Sequence, residues 1–175
     1  MGYPDAYIAY LVEFHATRDF FECHELLEEY WKAHPDDGNS SLWVGLIQTA
    51  VGQYHERRGN LRGAAMMYEQ ALAKLSASDL ERFGIDKKSL IRQLGERIKV
   101  AGGGKRNYAD MELQLTDPAL KARCAALCKE RGLLWGASSP QDNEWIVHRH
   151  LKRDRTDVIA AREAALRAKS EGRRR

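Results

Sequence analysis

Long apolar runs are absent from this sequence of 175 residues. No stretch approaches the ~20 consecutive apolar residues that a membrane-spanning helix needs, so we expect no membrane span. The first residues, MGYPDAYIAYLVEF, lack the basic start and apolar centre of a secretory signal. Only three cysteines occur, too few and odd in number for a disulfide framework, and this favours a reducing, cytoplasmic location.

Signals for strands and for nucleotide binding are scarce as well. The alternation of β-branched and polar residues that is typical of strands is weak throughout, and ADMELQLTD (109–117) is the one short candidate. The run GGGK (102–105) lacks the spaced glycines and the final Ser/Thr of a Walker loop. Nucleophile elbows and kinase motifs are missing too. These absences argue against the familiar sheet-based, nucleotide-dependent enzymes.

Helical periodicity, in contrast, runs along nearly the whole sequence. Apolar residues recur at spacings of three and four, as in Leu90, Leu94 and Ile98. Asp19 and Asn60 are suited to helix N-termini. The pattern predicts an all-α fold: an up-and-down array of about five helices, followed by a smaller helical C-terminal part. The predicted helices begin near residues 5, 19, 42, 61, 87, 118 and 156.

Three consecutive glycines at 102–104 interrupt the pattern. We therefore predict a helical domain over residues 1–101, a linker over 102–116 and a helical extension over 117–175 with a basic, disordered end. Residues 148–175 contain ten Lys/Arg against four Asp/Glu, a net charge of +6, whereas the first 147 residues carry −3. A basic tail of this kind could attract nucleic acid or acidic partners, or could be only a solvated helix face.

The segment FFECHELLEEYW (20–31) concentrates ionisable residues among large apolar ones. On a helix with ~100° per residue, His24 and Glu28 fall at the edge of the apolar arc, whereas Glu25 points toward water. On the third predicted helix, small and polar residues recur at spacings of three and four and form a narrow strip along one face. If this strip faces the second helix, its polar members meet His24 and Glu28, and Arg58 can pair with Glu28 or Glu25. The strip consists of Gly45, Gln48, Gly52 and His55.

Two interpretations of these residues stay open. In the first, which we prefer, they form a buried hydrogen-bond network, and His24→Ala costs about 1–3 kcal/mol because a partner is left unsatisfied. In the second they form an acid–base or metal site, because two histidines and a carboxylate can hold iron or zinc. The catalytic candidates are then His24, Glu25, Glu28, His55 and Arg58. The metal candidates are His24, Glu28 and His55, for a divalent ion, and no other cofactor is predicted.

Two resemblances add to this reading. The stretch GLIQTAVGQYHERRGNLRGAAMMYEQALAKL (45–75) resembles a single tetratricopeptide repeat, with no second copy at the same period. The blocks FFECHELLEEYWK and WVGLIQTAVGQYHERRGNLRGA, in this order, are similar to the domain-of-unknown-function 309 family over roughly residues 5–100. The resemblance implies an all-helical, repeat-like fold and implies no activity.

Three hypotheses about function follow. The leading one is a cytoplasmic protein-interaction or scaffold module that binds an unknown protein partner in a groove between paired helices. The sequence also leaves open whether the protein forms a homo-oligomer. The second is a metal-dependent hydrolase or oxygen-using enzyme centred on His24, Glu28 and His55. The third is a nucleic-acid-associated protein that uses the basic tail.

Overall fold

The computed structural model describes residues 2–103 and 107–148. Of these residues 68% are helical, and no strand occurs among them, which confirms the predicted all-α fold. No helix in the same part of the chain is long and apolar enough to cross a membrane. The helix predicted from residue 156 and the basic end of the chain lie outside the described residues.

Seven α-helices follow one another along the described chain. Asp19 and Asn60 cap α2 and α4 as predicted, because their side chains accept hydrogen bonds from the amides of Glu22 and Gly63. A π-helical turn over Glu13–Thr17 extends α1, and a 3₁₀ turn over Glu81–Phe83 precedes α5. The helices are α1 Asp5–Val12, α2 Phe20–Ala33, α3 Ser40–Arg57, α4 Leu61–Ser76, α5 Lys87–Gly102, α6 Pro118–Arg131 and α7 Glu144–Val147.

Helices that are neighbours in the sequence pack against each other around one apolar core. The helix α3 lies between α2 and α4, while α4 also packs on α5 and α1 packs on both α2 and α6. Large side chains fill the interior, with Tyr7, Leu27 and Trp43 at most 1% exposed. This arrangement places α2 and α3 side by side and leaves their common edge at the surface.

Gly45, Gln48 and Gly52 of the strip on α3 face α4 rather than α2, the orientation that would bring the strip to His24 and Glu28. A Cβ atom added to Gly52 would lie 2.4 Å from the Tyr68 ring, and one added to Gly45 would lie 2.6 Å from Leu75. Gln48 follows the same face, since its Nε2 donates to Gln70 Oε1 over 2.8 Å. The glycines bring α3 and α4 close together.

Residues 107–116, which we predicted to belong to a linker, lie extended against the helices. Met111 and Leu113 are buried in the common core, and Leu115 forms an isolated antiparallel bridge with Ile85. The following helix, α6, is also attached to the N-terminal part, because Arg123 Nη1 donates to Tyr3 O over 2.7 Å. The division of the chain at residue 102 stays a prediction, but residues 107–116 pack against the helices of the N-terminal part.

Candidate functional site

An open, mainly apolar pocket lies between α2 and α3 and holds both histidines of the predicted site. Its volume is about 200 Å³. Phe20 at its base is fully buried and Tyr54 is 4% exposed, so these two rings are fixed parts of the core. We call it the α2–α3 pocket, and it is lined by Phe20, Phe21, His24, Val51, Tyr54 and His55.

His24 and Glu28 form the polar edge of this pocket on α2. His24 Nε2 lies 2.9 Å from Glu28 Oε2, and His24 Nδ1 lies 3.5 Å from Glu25 Oε1. Lys32 Nζ is 2.7 Å from the other oxygen of Glu28. The side chains of His24 and Glu28 remain 28% and 31% exposed. The pair is therefore only half-buried, whereas the network interpretation predicted that it would be shielded from water.

His55 reaches the same pocket from α3, but its side chain is hydrogen-bonded to a residue only five positions further along the chain. Asn60 Nδ2 donates to His55 Nδ1 over 3.3 Å. Burial lowers the pKa of His55, and the neighbouring guanidinium of Arg58 lowers it further. Arg58 itself lies over the Tyr54 ring, 5.4 Å from its centroid. The structure thus brings His24, Glu25 and Glu28 together on α2, places His55 and Arg58 at the end of α3, and turns Gln48 toward α4.

The described residues do not assemble a recognisable metal-binding group. Among residues 2–103 and 107–148, no three His, Cys, Asp or Glu side chains are grouped so that they could hold an ion. The proposed set of His24, Glu28 and His55 therefore gains no support from the geometry and stays a prediction. Cys124 and Cys128 are buried free thiols on α6.

A second polar cluster, which the sequence analysis missed, lies inside the molecule. Five side chains from α3, α5 and the end of the π-helical turn hydrogen-bond to main-chain atoms of residues 109–113. Because buried main-chain groups need partners, these side chains replace the ladder that a neighbouring strand would supply. We call this cluster the main-chain clamp, and it consists of His15, Arg18, Gln53, Gln93 and Arg97.

His15 shows how the clamp works. It is fully buried in the π-helical turn, its Nδ1 lies 2.8 Å from Leu11 O, and its Nε2 accepts from Leu113 N over 2.9 Å. Its ring stacks on Trp135 at 4.2 Å between centroids. Burial lowers the pKa of His15 to about 4, so the ring is neutral at pH 7 and can accept the Leu113 hydrogen bond.

Charged members of the clamp are buried and paired. Arg18 is 1% exposed and adopts a left-handed backbone conformation with φ 56°. Its guanidinium donates to Met111 O over 2.9 Å and pairs with Glu112. Arg97 donates to Ala109 O over 2.7 Å and forms a buried ion pair with Glu56 at 2.9 Å. These pairs satisfy charges that would otherwise be costly to bury.

Sequence reasoning had one usable signal for the clamp. Arg97 lies three residues after Leu94, on the apolar face of α5, where a charged residue indicates a buried partner. The partners themselves could not be found from local spacing, because Glu56 and Ala109 lie 41 and 12 residues away. His15 and Leu113 are separated by 98 residues.

Comparisons with known proteins place the chain among relatives. A family model described as "Domain of unknown function (DUF309)" matches residues 7–67. Over 176 aligned positions the chain is 40% identical to "Uncharacterized protein YpuF" of Bacillus subtilis (strain 168), covering 98% of this chain and 99% of that protein. This chain belongs to the DUF309 family. The resemblance that the sequence motifs indicated is therefore confirmed.

A shorter match lies in another bacterium. The chain is 32% identical over 60 residues to an "Uncharacterized protein" of Aquifex aeolicus (strain VF5), covering 34% of this chain and 18% of that protein. No solved structure matches the chain significantly. All six residues that line the α2–α3 pocket fall within the DUF309 match, so the pocket belongs to the family part of the chain.

Proposed function

We propose that this DUF309 protein is a protein-interaction module and that the α2–α3 pocket is its binding surface. The observation that carries the proposal is the combination of an apolar floor with a charged edge. Phe21 and Val51 supply half-exposed apolar surface, while Glu25 and Glu28 place carboxylates beside it. This chemistry suits a peptide segment that carries an apolar side chain next to a lysine or arginine.

The size of the pocket favours a side chain over a free small molecule. Small-molecule sites usually enclose about 300–1,000 Å³ and bury most of their ligand. The α2–α3 pocket, at about 200 Å³ and open to the surface, offers room for one anchoring side chain. We therefore infer a partner that inserts one apolar residue and lays its remaining contacts along α2.

The floor of the pocket is held in place by the core. The Phe20 ring is fully buried and lies 4.6 Å from the guanidinium carbon of Arg57. Tyr54 is packed against Phe21 at 6.1 Å between ring centroids. A pocket that is formed before binding loses little conformational entropy when a ligand enters, and this favours recognition of a small anchoring side chain.

The enzyme hypothesis is not carried forward. A metal-dependent hydrolase or oxygen-using enzyme would need His24, Glu28 and His55 to converge on one ion. In the part of the chain that the structure describes, no such group of three ligands is present. A cytoplasmic location remains part of the proposal, and it is supported by three cysteines that are buried and free.

Selection of short random peptides on the full-length protein tests the proposal. We expect enriched peptides to contain an apolar residue beside Lys or Arg, and Phe21→Ala to weaken their binding about tenfold, which corresponds to about 1.4 kcal/mol. Met66→Ala is the matched control, because Met66 is an apolar residue of α4 that is 49% exposed outside the pocket. Peptides that bind both variants equally, or no enrichment at all, would contradict the proposal.

A further inference from the structure

The described chain ends beside the α2–α3 pocket. Arg57 Nη2 donates to Ile146 O in α7 over 3.2 Å, and the same guanidinium lies 4.6 Å from the ring of Phe20, which lines the pocket. Val147, the last residue of α7, is buried. Two residues before residue 148, the main chain is therefore separated from the pocket by the Arg57 guanidinium and the Phe20 ring.

The charge of the sequence beyond this point complements that of α2. Within α2 there are four glutamates and one lysine, a net charge of −3. Residues 149–175, which lie outside the described part of the chain, contain ten Lys/Arg and four Asp/Glu, a net charge of +6. Apolar residues are interspersed among these charges, namely Leu151, Val158, Ile159 and Leu166. The segment therefore has the composition that we infer for the partner.

Distance does not limit an encounter between the two. A helix of 14 residues is about 21 Å long, and an extended chain spans up to about 3.3–3.6 Å per residue, so about seven residues reach from one end of α2 to the other. A segment joined to its binding site by a short flexible connection has an effective concentration on the order of 1 mM. Even weak contacts then suffice to occupy the pocket.

Resting on the pocket of the proposed function, we propose that its ligand within the molecule is the protein's own C-terminal segment, residues 149–175. The basic residues of the segment pair with the glutamates of α2, and one of its apolar side chains enters the α2–α3 pocket. An external partner of the same chemistry must displace the segment, so the tail sets the threshold for partner binding.

Zero-length carbodiimide cross-linking of the full-length protein tests this inference. The reagent joins an amine to a carboxylate only when the two are in contact, and the segment offers the amines of Lys152 and Lys169. We expect cross-links from these lysines to Glu22, Glu25 or Glu28 of α2, reduced several-fold at high salt. The pair Lys32–Glu28, with atoms 2.7 Å apart, is the internal positive control. A K152R/K169R variant keeps the charge, removes the amines and should abolish the cross-links.

A mixture of isotopically light and heavy chains identifies the source of the segment. Cross-links within one isotopic form support binding within the chain. Mixed-isotope cross-links would show that the segment binds α2 of a second copy, which would overturn binding within the chain. Cross-links that avoid α2 would overturn the inference altogether.

A labelled peptide of residues 149–169, added to full-length protein, gives an independent measurement. With an intrinsic Kd of about 0.1 mM and an effective concentration of about 1 mM, the attached tail weakens the added peptide about tenfold. Neutralising the tail by R149Q/K152Q/R153Q/R155Q should therefore tighten peptide binding about tenfold, and adding E25Q/E28Q should reverse the gain. Adding E96Q on α5 instead, where the Glu96 side chain is 66% exposed, should leave the gain in peptide binding unchanged. Equal binding by wild-type and neutralised proteins would contradict the inference.

The two proposals can fail separately. If the tail cross-links to α2 but Phe21→Ala leaves library peptides bound, the interaction function of the pocket fails while the tail contact stands. If library peptides depend on Phe21 but no tail cross-link to α2 forms, the tail inference fails while the function stands.

Discussion

Two histidines of this protein differ in burial and therefore in what each does. His15 is fully buried, and both of its ring nitrogens are engaged by main-chain atoms. His24 is 28% exposed and is paired with carboxylates of its own helix. A buried hydrogen-bond network is present around His15, with other residues than those that we predicted around His24, and it orients the main chain of residues 109–113. His24 is left at the surface, where a ligand can reach it.

The buried state of His15 makes stability depend on pH. Its pKa is about 4 in the folded protein and near 6.5 in the unfolded chain, so between these values the unfolded state binds more protons. Its contribution to stability is present above pH 6.5 and is lost as the pH falls to 4. The expected loss is about 3 kcal/mol in total and about 2 kcal/mol by pH 5. Urea unfolding at pH 7 and pH 5 measures it.

Two controls accompany this measurement. His55→Gln removes the other histidine of the described residues whose pKa is lowered, and the loss should persist in this variant. The ring-proton resonance of His15 should stay constant from pH 8 to 5, and a titration midpoint near pH 6.5 would refute the assignment.

Replacing each histidine by alanine should separate their roles. His24→Ala should cost less than about 1 kcal/mol, because ion pairs that are partly exposed contribute little. His15→Ala should cost about 1–3 kcal/mol or more, since it leaves Leu113 N without its acceptor. Chemical unfolding of the two variants side by side gives the comparison. A larger loss for His24→Ala would restore the network interpretation of α2.

Sequence reasoning identified the half-exposed residues of the pocket but not the buried clamp. His24 and Glu28 are four positions apart on one helix, so their pairing follows from local geometry alone. His15 and Arg18 contact residues more than 90 positions away, and helical spacing carries no information about such contacts. His24 and His55 do lie in one pocket, but the condition under which we expected them to meet is not fulfilled. His55 lines the pocket, whereas Gly45 and Gly52 of the same strip face α4.

At the scale of elements, the two glycines of α3 determine which neighbour approaches most closely. Glycine weakens an isolated helix, so its presence at Gly45 and Gly52 requires a gain from packing. The gain is the contact with Leu75 and Tyr68 of α4. Since α4 uses this face, α2 packs on another face of α3, and the edge between α2 and α3 stays open as the pocket.

Substituting glycines in two helices tests this account. Gly52→Ala should destabilise the protein by about 1–3 kcal/mol, because the new methyl group would lie 2.4 Å from the buried Tyr68 ring. Gly95→Ala is the matched control in α5, where no atom lies within 4 Å of the added Cβ, and it should stabilise by about 0.5–1 kcal/mol. Thermal unfolding of both variants measures the difference, and a neutral Gly52→Ala would contradict the close packing.

Six of the seven described helices were predictable from the sequence, whereas the short helix α7 and the extended segment were not. Apolar spacing and capping residues such as Asp19 and Asn60 are local signals, and the helices that they mark are present. Residues 107–116 follow three glycines and have no local partner, so they read as a linker. Their position depends on side chains from α3, α5 and the π-helical turn, and this dependence becomes visible only in three dimensions.

At the scale of the whole molecule, the N-terminal helices and residues 107–131 share one core. We therefore expect a single unfolding transition, although the sequence suggested two parts. Trp43 reports on the first part and Trp135, stacked on His15, reports on the second. In a W31F/W145F background, where Trp43→Phe or Trp135→Phe leaves one tryptophan, the fluorescence midpoint in urea of each variant should coincide with its midpoint by far-ultraviolet circular dichroism. Two separated midpoints would show that the parts unfold independently.

The main-chain clamp has a consequence for how this protein can change over evolutionary time. Its side chains bind peptide groups, so at exposed Ala109 many replacements leave the clamp hydrogen bonds intact. Deleting one residue, however, would move the amide that faces Gln53 and the amide that faces His15 out of reach together. The segment is therefore free to vary at exposed positions such as Ala109 but fixed in length, and an insertion or deletion there should be tolerated far less than a substitution at those positions.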